Sequence, residues 1–359
     1  MPDFKLPVPR SLTLPRSLPG RAVETAKGLA TRLPAPVRQT AASLQTVTLP
    51  RLDLPGLIRW PASIAFFGYS QTGFDGDTTN QEDIFEVSPI TGIIRRITDG
   101  RLSSVYTSDR DPAWSANRSR LAIHRGSEAD PESRLVLISR SSGAVVDALG
   151  IQGHTPRWLD TGTLLFLNGI DEREEVFCVD LATRTVRRIT DVGAGASVNS
   201  LSWHPSAGLA LGVADDAAGQ YAVCVAPAAA VGAARAAGGS PIPRAGLTTV
   251  TGPTVQASSP DWSPTADRIA VTTWEAGTPS RVGYLTVATG AITLVPPSAD
   301  PALNDAGAVF SPDGATLAFT RGNEDEWSEI WLWTRARLRP RLRQLTDDSQ
   351  GRFKGSLDW

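Results

Sequence analysis

The chain has 359 residues, 41% of them hydrophobic, and a formal net charge of −2, which is enough to bury a large core. The charge is uneven: residues 1–60 hold nine Lys/Arg against three Asp/Glu, which leaves the remainder at −8. An acidic body argues against nucleic-acid binding, which takes many phosphate-neutralising cations. No window approaches 18 apolar residues, so no helix is expected to span a membrane.

Residues 1–60 read as a Pro-rich, basic, extended tail, because nine of the 27 prolines fall there and proline at that density blocks helix and sheet alike. Its recurrent Leu, Val and Phe suit a docking arm as well as a flexible leader. The start of the chain lacks the apolar core of a secretory signal, so a cytoplasmic location is expected. Cys178 and Cys224 occupy matching places in neighbouring repeats, EVFCVD and YAVCVA. They are expected to be buried thiols too far apart to bridge.

Residues 61–359 read as all-β. Aligned on the last aromatic of SSPDW (Trp262), the segments RDPAW, HTPRW, NSLSW, DAGAVF and GSLDW place Trp114, Trp158, Trp203, Phe310 and Trp359 in one slot, 44 to 59 residues apart. A short apolar run follows most of them, as in LAI, LLFL, LALGV, IAV and LAF. One aromatic and several short strands per 40–50 residues is the pattern of a propeller blade. Recurrent hairpins (VSPITGI, ISRSSGA, VDLATRT, TVATGA) join third to fourth strands, and the fourth strand recurs as IIRRITD, TVRRITD and RLRQLTD. Its Arg pairs are expected to face solvent at the blade edge. Six four-stranded antiparallel blades result only if the C-terminal strand at Trp359 joins the strands from Ile64 onward. The Ala/Gly/Pro-rich stretch between Val225 and Leu247 reads as a mobile loop.

The units DWSPTADRIAV and VFSPDGATLAFTR, with EIWLW following an acidic loop, resemble the WD-like repeats of the TolB-type six-bladed propeller, over Ile64 to Trp359. The resemblance implies the fold. It also implies a choice of roles, since such propellers occur in TolB itself, a periplasmic protein that binds envelope proteins, in prolyl-oligopeptidase-like hydrolases and in metal-dependent lyases.

The residues narrow that choice. A serine hydrolase needs a G-x-S-x-G elbow on an α/β domain, and the sequence contains no such motif. The three histidines, His124, His154 and His204, are dispersed, and only His154 is expected near the channel mouth; one imidazole does not make a metal site. Asp75 through Glu86 loosely imitates a calcium loop without its glycine. In a propeller, the loops joining second to third strands share one face with those joining successive blades. The former carry Asp75, Asp77, Glu82 and Asp83, then Glu128, Asp130 and Glu132, then Asp171, Glu172, Glu174 and Glu175, and finally Glu324, Asp325, Glu326 and Glu329. The latter carry Arg110, Asp111, His154, Arg157, Asn199, Asp305, Arg352 and Lys354. An acidic rim around a mixed mouth would attract and orient a basic segment. The opposite face carries five arginines at period two, Arg335 to Arg343.

The expected function is therefore a non-catalytic, monomeric propeller that binds a protein or peptide through its loop face, with the tail as a second contact and no cofactor. The alternatives are a metal-dependent lyase or small-molecule hydrolase on the same scaffold, and a peripheral subunit of a larger assembly.

Overall fold

The computed structural model describes residues 62–69, 82–99, 107–127, 133–216, 218–323, 327–335, 340–347 and 353–359. The expected tail therefore lies outside the described residues. Strands β1 (Ile64–Tyr69), β2 (Asp83–Val87) and β3 (Ile94–Arg96) come first. Blade 1 is β4 (Thr107–Trp114), β5 (Arg120–Ser127), β6 (Arg134–Ser139) and β7 (Val145–Gln152). Blade 2 is β8 (His154–Asp160), β9 (Thr163–Ile170), β10 (Arg173–Asp180) and β11 (Val186–Arg188), with the two-residue β12 (Thr190–Asp191) after it. Blade 3 contains β13 (Ala196–His204), β14 (Gly208–Asp215) and β15 (Gln220–Ala226). A short β16 (Ile242–Pro243) precedes its fourth strand, β17 (Thr248–Thr249). Blade 4 is β18 (Gln256–Trp262), β19 (Arg268–Trp274), β20 (Arg281–Thr286) and β21 (Ala291–Leu294). Blade 5 is β22 (Asn304–Phe310), β23 (Thr316–Asn323), β24 (Trp327–Thr334) and β25 (Arg341–Gln344).

The last strand, β26 (Phe353–Asp358), completes blade 6 by pairing antiparallel with β1, Tyr69 opposite Phe353 and Ala65 opposite Asp358. That sheet runs β26-β1-β2-β3, so the two ends of the propeller sequence share one blade as the repeat count required. The innermost strands touch in a closed circuit, β4 to β8 to β13 to β18 to β22 to β26 and back to β4.

The repeating aromatic lies between blades, and the core divides into six clusters accordingly. Trp114 packs with Phe67 and Ile84 of blade 6 and with Leu121 and Ile123 of blade 1. Trp262 joins Ala210 and Val223 of blade 3 to Ile269 and Val271 of blade 4, and Phe310 and Trp359 do the same on either side of blade 5. Each interface thus buries an apolar face that an isolated twisted sheet would leave wet.

Two local expectations need correction. The stretch after Val225 contains a helix, Ala228–Arg235, whose Val231 and Ala234 enter the core cluster between blades 2 and 3. β16 then pairs in parallel with β12. Alanine favours helix, and the two buried positions three apart form one apolar face. The Arg pairs of the fourth strands also do not all face solvent. Arg96 and Arg188 are mostly buried, paired with Asp83 and Glu175 respectively. Both cysteines are buried and free, as expected.

Candidate functional site

Each innermost strand carries an irregularity about three residues before its aromatic. Asp111, Thr155, Ser259, Gly307 and Ser356 all have φ between 46° and 60°, and the strand register shifts at each. In blade 3 the shift falls at Asn199. An extra residue of this kind bends the strand and re-aims its side chains, and at five of the six positions that residue is polar: Asp111, Thr155, Asn199, Ser259 and Ser356.

The ring is richest where blades 6, 1 and 2 meet. Asp111 Oδ2 lies 3.0 Å from His124 Nδ1 and accepts from Thr155 N–H at 3.3 Å and Thr155 Oγ1 at 3.2 Å. Its Oδ1 accepts from the hydroxyl of Ser356. His154 continues the chain, with Nδ1 3.0 Å from Thr155 Oγ1 and Nε2 2.6 Å from Glu174 Oε1. The two imidazoles meet edge to face with centroids 6.2 Å apart. Burial works against charge at Asp111, but hydrogen bonds and charge from His124, with Ser356 and Arg157, hold its carboxyl well below the usual range. Burial likewise opposes protonation of His154, and Glu174 outweighs it and raises the imidazole pKa. The network can therefore store a proton on His154 and hold a fixed negative charge on Asp111.

Farther round the channel, the residue before the aromatic acts as a latch to the next blade. Asp358 accepts the N–H of Trp114 at 2.7 Å, Asp261 that of Phe310 at 2.8 Å, and Ser202 that of Trp262 at 3.0 Å. Burial pushes Asp261 up to about 7 and raises Asp358 also, with Arg157 opposing the rise in both.

The expected site residues divide into three groups. Arg110, Asp111, His154, Arg157 and Asn199 do sit in the innermost strands, with Arg110 paired to Glu82. Asp305 is instead buried within blade 5, and Lys354 between blades 6 and 5. Asp305, 1% exposed, is gripped by Arg321 directly opposite on β23, and Lys354 is 3.2 Å from Glu329. Asp109 and Arg125 repeat the Asp305–Arg321 pair in blade 1, so that position braces a blade rather than meeting a partner. Asp75, Asp77, Glu324, Asp325, Glu326 and Arg352 lie outside the described residues, as do Glu128, Asp130 and Glu132.

The acidic rim is altered as well. Glu82, Asp83, Glu175 and Glu329 are buried, while Asp171 and Glu172 are exposed. Sequence reading missed Asp215, Asp216 and Glu275, all exposed in the matching loops of blades 3 and 4. Their signal was position after the second strand, rather than density of charge. It also missed Asp261 and Asp358, although SPDW and SLDW share an Asp before the aromatic. Among the described residues, no three His, Cys, Asp or Glu converge to hold a metal, and no helix is long and apolar enough to cross a membrane.

No protein-family model matches the chain, and no curated protein matches it in sequence. Solved structures do match. TolB from Acinetobacter baumannii aligns with a TM-score of 0.60 at 15% identity, covering 85% of this chain and 68% of that one. A structure assigned to TolB from Agrobacterium tumefaciens aligns at 0.53 and 12%, covering 82% of this chain and 97% of that one. Hydrazine synthase of Kuenenia stuttgartiensis aligns at 0.59 and 10%, covering 83% of this chain but 46% of that one. Identities this low speak to architecture alone. In fold, this chain is a six-bladed β-propeller of the TolB type.

Proposed function

We propose that the propeller binds a protein or peptide partner, engaging a basic segment of it on the face that carries the loops between second and third strands. The observation that carries this reading is the balance of charge left unpaired on that face. Asp171, Glu172, Asp215, Asp216 and Glu275 are exposed across blades 2 to 4. Among the described residues, Arg173 of blade 2 is engaged with Glu175 and Arg281 of blade 4 lies 3.8 Å from Asp305, while in blade 1 Arg110 is paired with Glu82 and Arg125 with Asp109. A field of one sign steers an oppositely charged partner and fixes its orientation more than it adds affinity. The channel mouth, with Glu174 and His154 half-exposed, would receive a side chain of the bound segment.

The test is binding to an array of basic and charge-scrambled peptides, using wild type and a variant with Asp171→Asn, Glu172→Gln, Asp215→Asn and Asp216→Asn. Wild type should retain a subset of basic peptides with a steep salt dependence, and the variant should lose them at unchanged melting temperature. Equal retention by both proteins would remove the rim from consideration.

One observation favours a second reading. His124, His154, Asp111 and Glu174 form a connected proton-carrying chain at the mouth, and acid–base groups in a concave site suit turnover of a small molecule. Among the described residues no three His, Cys, Asp or Glu converge on one point, so the set is read as acid–base groups rather than as a metal centre. A His154→Gln variant that kept peptide binding but lost turnover of a small substrate would support this reading.

A further inference from the structure

On the opposite face, at the junction of blades 6 and 1, three guanidiniums gather: Arg95 and Arg140 share the Glu86 carboxylate, and Arg118 feels Asp358 and Glu86. Arg118 and Arg140 both lie over the indole of Trp114, 4.6 and 5.0 Å from the ring centroid. They converge on Ser63, where Arg118 Nη2 donates to the carbonyl oxygen and Arg140 Nη2 donates to the hydroxyl at 3.1 Å. Arg95 completes the group, donating from Nε to Glu86 at 2.6 Å and from Nη2 to the Arg140 carbonyl at 3.2 Å. Arg140 Nε also donates to Glu86, at 3.0 Å. Glu86 thus serves Arg95 and Arg140 together. The nearby Asp358 is occupied by the Trp114 N–H.

Two features go beyond what blade-to-blade adhesion needs. The Nε of Arg118 is buried with no hydrogen-bond partner, a state that carries a desolvation penalty. Burial, followed by the charge of Arg140, holds the Arg118 guanidinium down to about 10 against the pull of Asp358 and Glu86. Arg118 also stands at φ 56°, at the turn position taken by Ala266 and Gly314 in sister blades. A long side chain in the left-handed region is strained, and such strain is concentrated at functional positions. The hairpin bearing Arg140 is fixed in place as well: at Gly143, with φ 66°, an added Cβ would lie 1.9 Å from the Ile97 carbonyl oxygen.

We propose that Arg95, Arg118 and Arg140 form a binding site for a dianionic phosphoryl group, either free phosphate or a phosphate monoester. Planar guanidinium forks suit the tetrahedral oxygens of phosphate, and a dianion supplies negative charge beyond that of Glu86 and Asp358. The site stands apart from the acidic rim and does not depend on the function proposed above.

Thermal unfolding and isothermal titration with inorganic phosphate and with phenyl phosphate, at ionic strength matched by chloride, test the proposal. Wild type should gain melting temperature saturably with phosphate and not with chloride. Arg118→Gly relieves the strain at φ 56° but gives up the Trp114 and Ser63 contacts, so its binding is compared with wild type at a temperature where both are folded. It should bind phosphate at least about tenfold more weakly, the loss of one charge-assisted bond. Arg140→Gln, on the accessible hairpin, should weaken binding similarly. The two ligands separate the sources: tighter binding of phenyl phosphate points to a monoester, and equal binding to free phosphate. A wild-type shift no larger than that in chloride, or phosphate affinity unchanged in both variants, overturns the proposal.

Discussion

At the scale of single residues, the stability of this ring depends on polar groups held where water scarcely reaches. The recurring ITD or LTD after the fourth strand is an instance. Thr98, Thr190 and Thr346 accept the N–H of Ile84, Val176 and Ile330 at 2.9 Å, and their hydroxyls lie against Asp83, Glu175 and Glu329. The sequence displayed the repeat, but solvent was the wrong destination for Arg96 and Arg188. Their acidic partners Asp83 and Glu175 sit near the start of the third strand and become neighbours only on folding, whereas Arg341 and Arg343 are exposed as expected. Asp261 gives this scale its sharpest prediction. Its pKa in the fold is about 7 against an ordinary 3.8, raised chiefly by burial. The folded state therefore binds the proton more tightly than the unfolded chain. The resulting stability is complete below about pH 4 and is lost as pH rises toward 7. Asp261→Asn keeps an acceptor for Phe310 N–H and cannot ionise. Between pH 5 and pH 8 it should gain up to about 3 kcal/mol relative to wild type, an upper bound because channel water screens part of the charge. Urea unfolding at both pH values measures this. A difference between the two proteins that does not change with pH would show that Asp261 ionises freely in the fold.

At the scale of elements, the insertion in blade 3 is the instructive case. Its Ala/Gly/Pro content reads as a loop, since no polar face opposes an apolar one. The structure makes it a strap: Val231 is 1% exposed, and Arg235 reaches across to Asp160 and Thr163 of blade 2. What the sequence withheld was the surface against which the helix packs, because a helix of eight residues is not stable alone and forms here on a groove between two blades. Val231→Asp would place an unpaired carboxylate in that groove. It should lower stability by about 3 kcal/mol or more, with protection from hydrogen exchange falling in β12 and β16. A variant as stable as wild type would return the segment to the status of a loop. By the same reasoning, the second- and third-strand cores were legible because their apolar runs repeat. Asp305 was misplaced because its partner Arg321 lies on a neighbouring strand whose register the sequence alone does not set, and Lys354 because its partner Glu329 belongs to the next blade and comes near only when the ring forms.

At the scale of the whole molecule, closure decides which loops share a face, and closure was legible from a count: five complete units and two fragments that complete one another. The remaining site geometry was not, since Asp111 meets Thr155 of blade 2 and Ser356 of the closing strand only once the blades pack around the ring. If the closing blade is held by the same physics as the others, its aromatic should matter as much as theirs. Trp359 packs into the cluster of Ile64, Phe66 and Val309, and its indole N–H donates to the Ala62 carbonyl at 2.6 Å. Trp114 fills the corresponding interface one blade on. Replacing either by Ala removes a large buried surface and leaves a cavity, at a cost of about 3–5 kcal/mol. Trp359→Ala and Trp114→Ala should therefore shift the urea midpoint by similar amounts, each in a single cooperative transition. A terminal strand merely resting on a ring already closed by other contacts behaves differently: Trp359→Ala would then cost less than about 1 kcal/mol, and β1 and β26 would lose exchange protection in wild type well before the other blades.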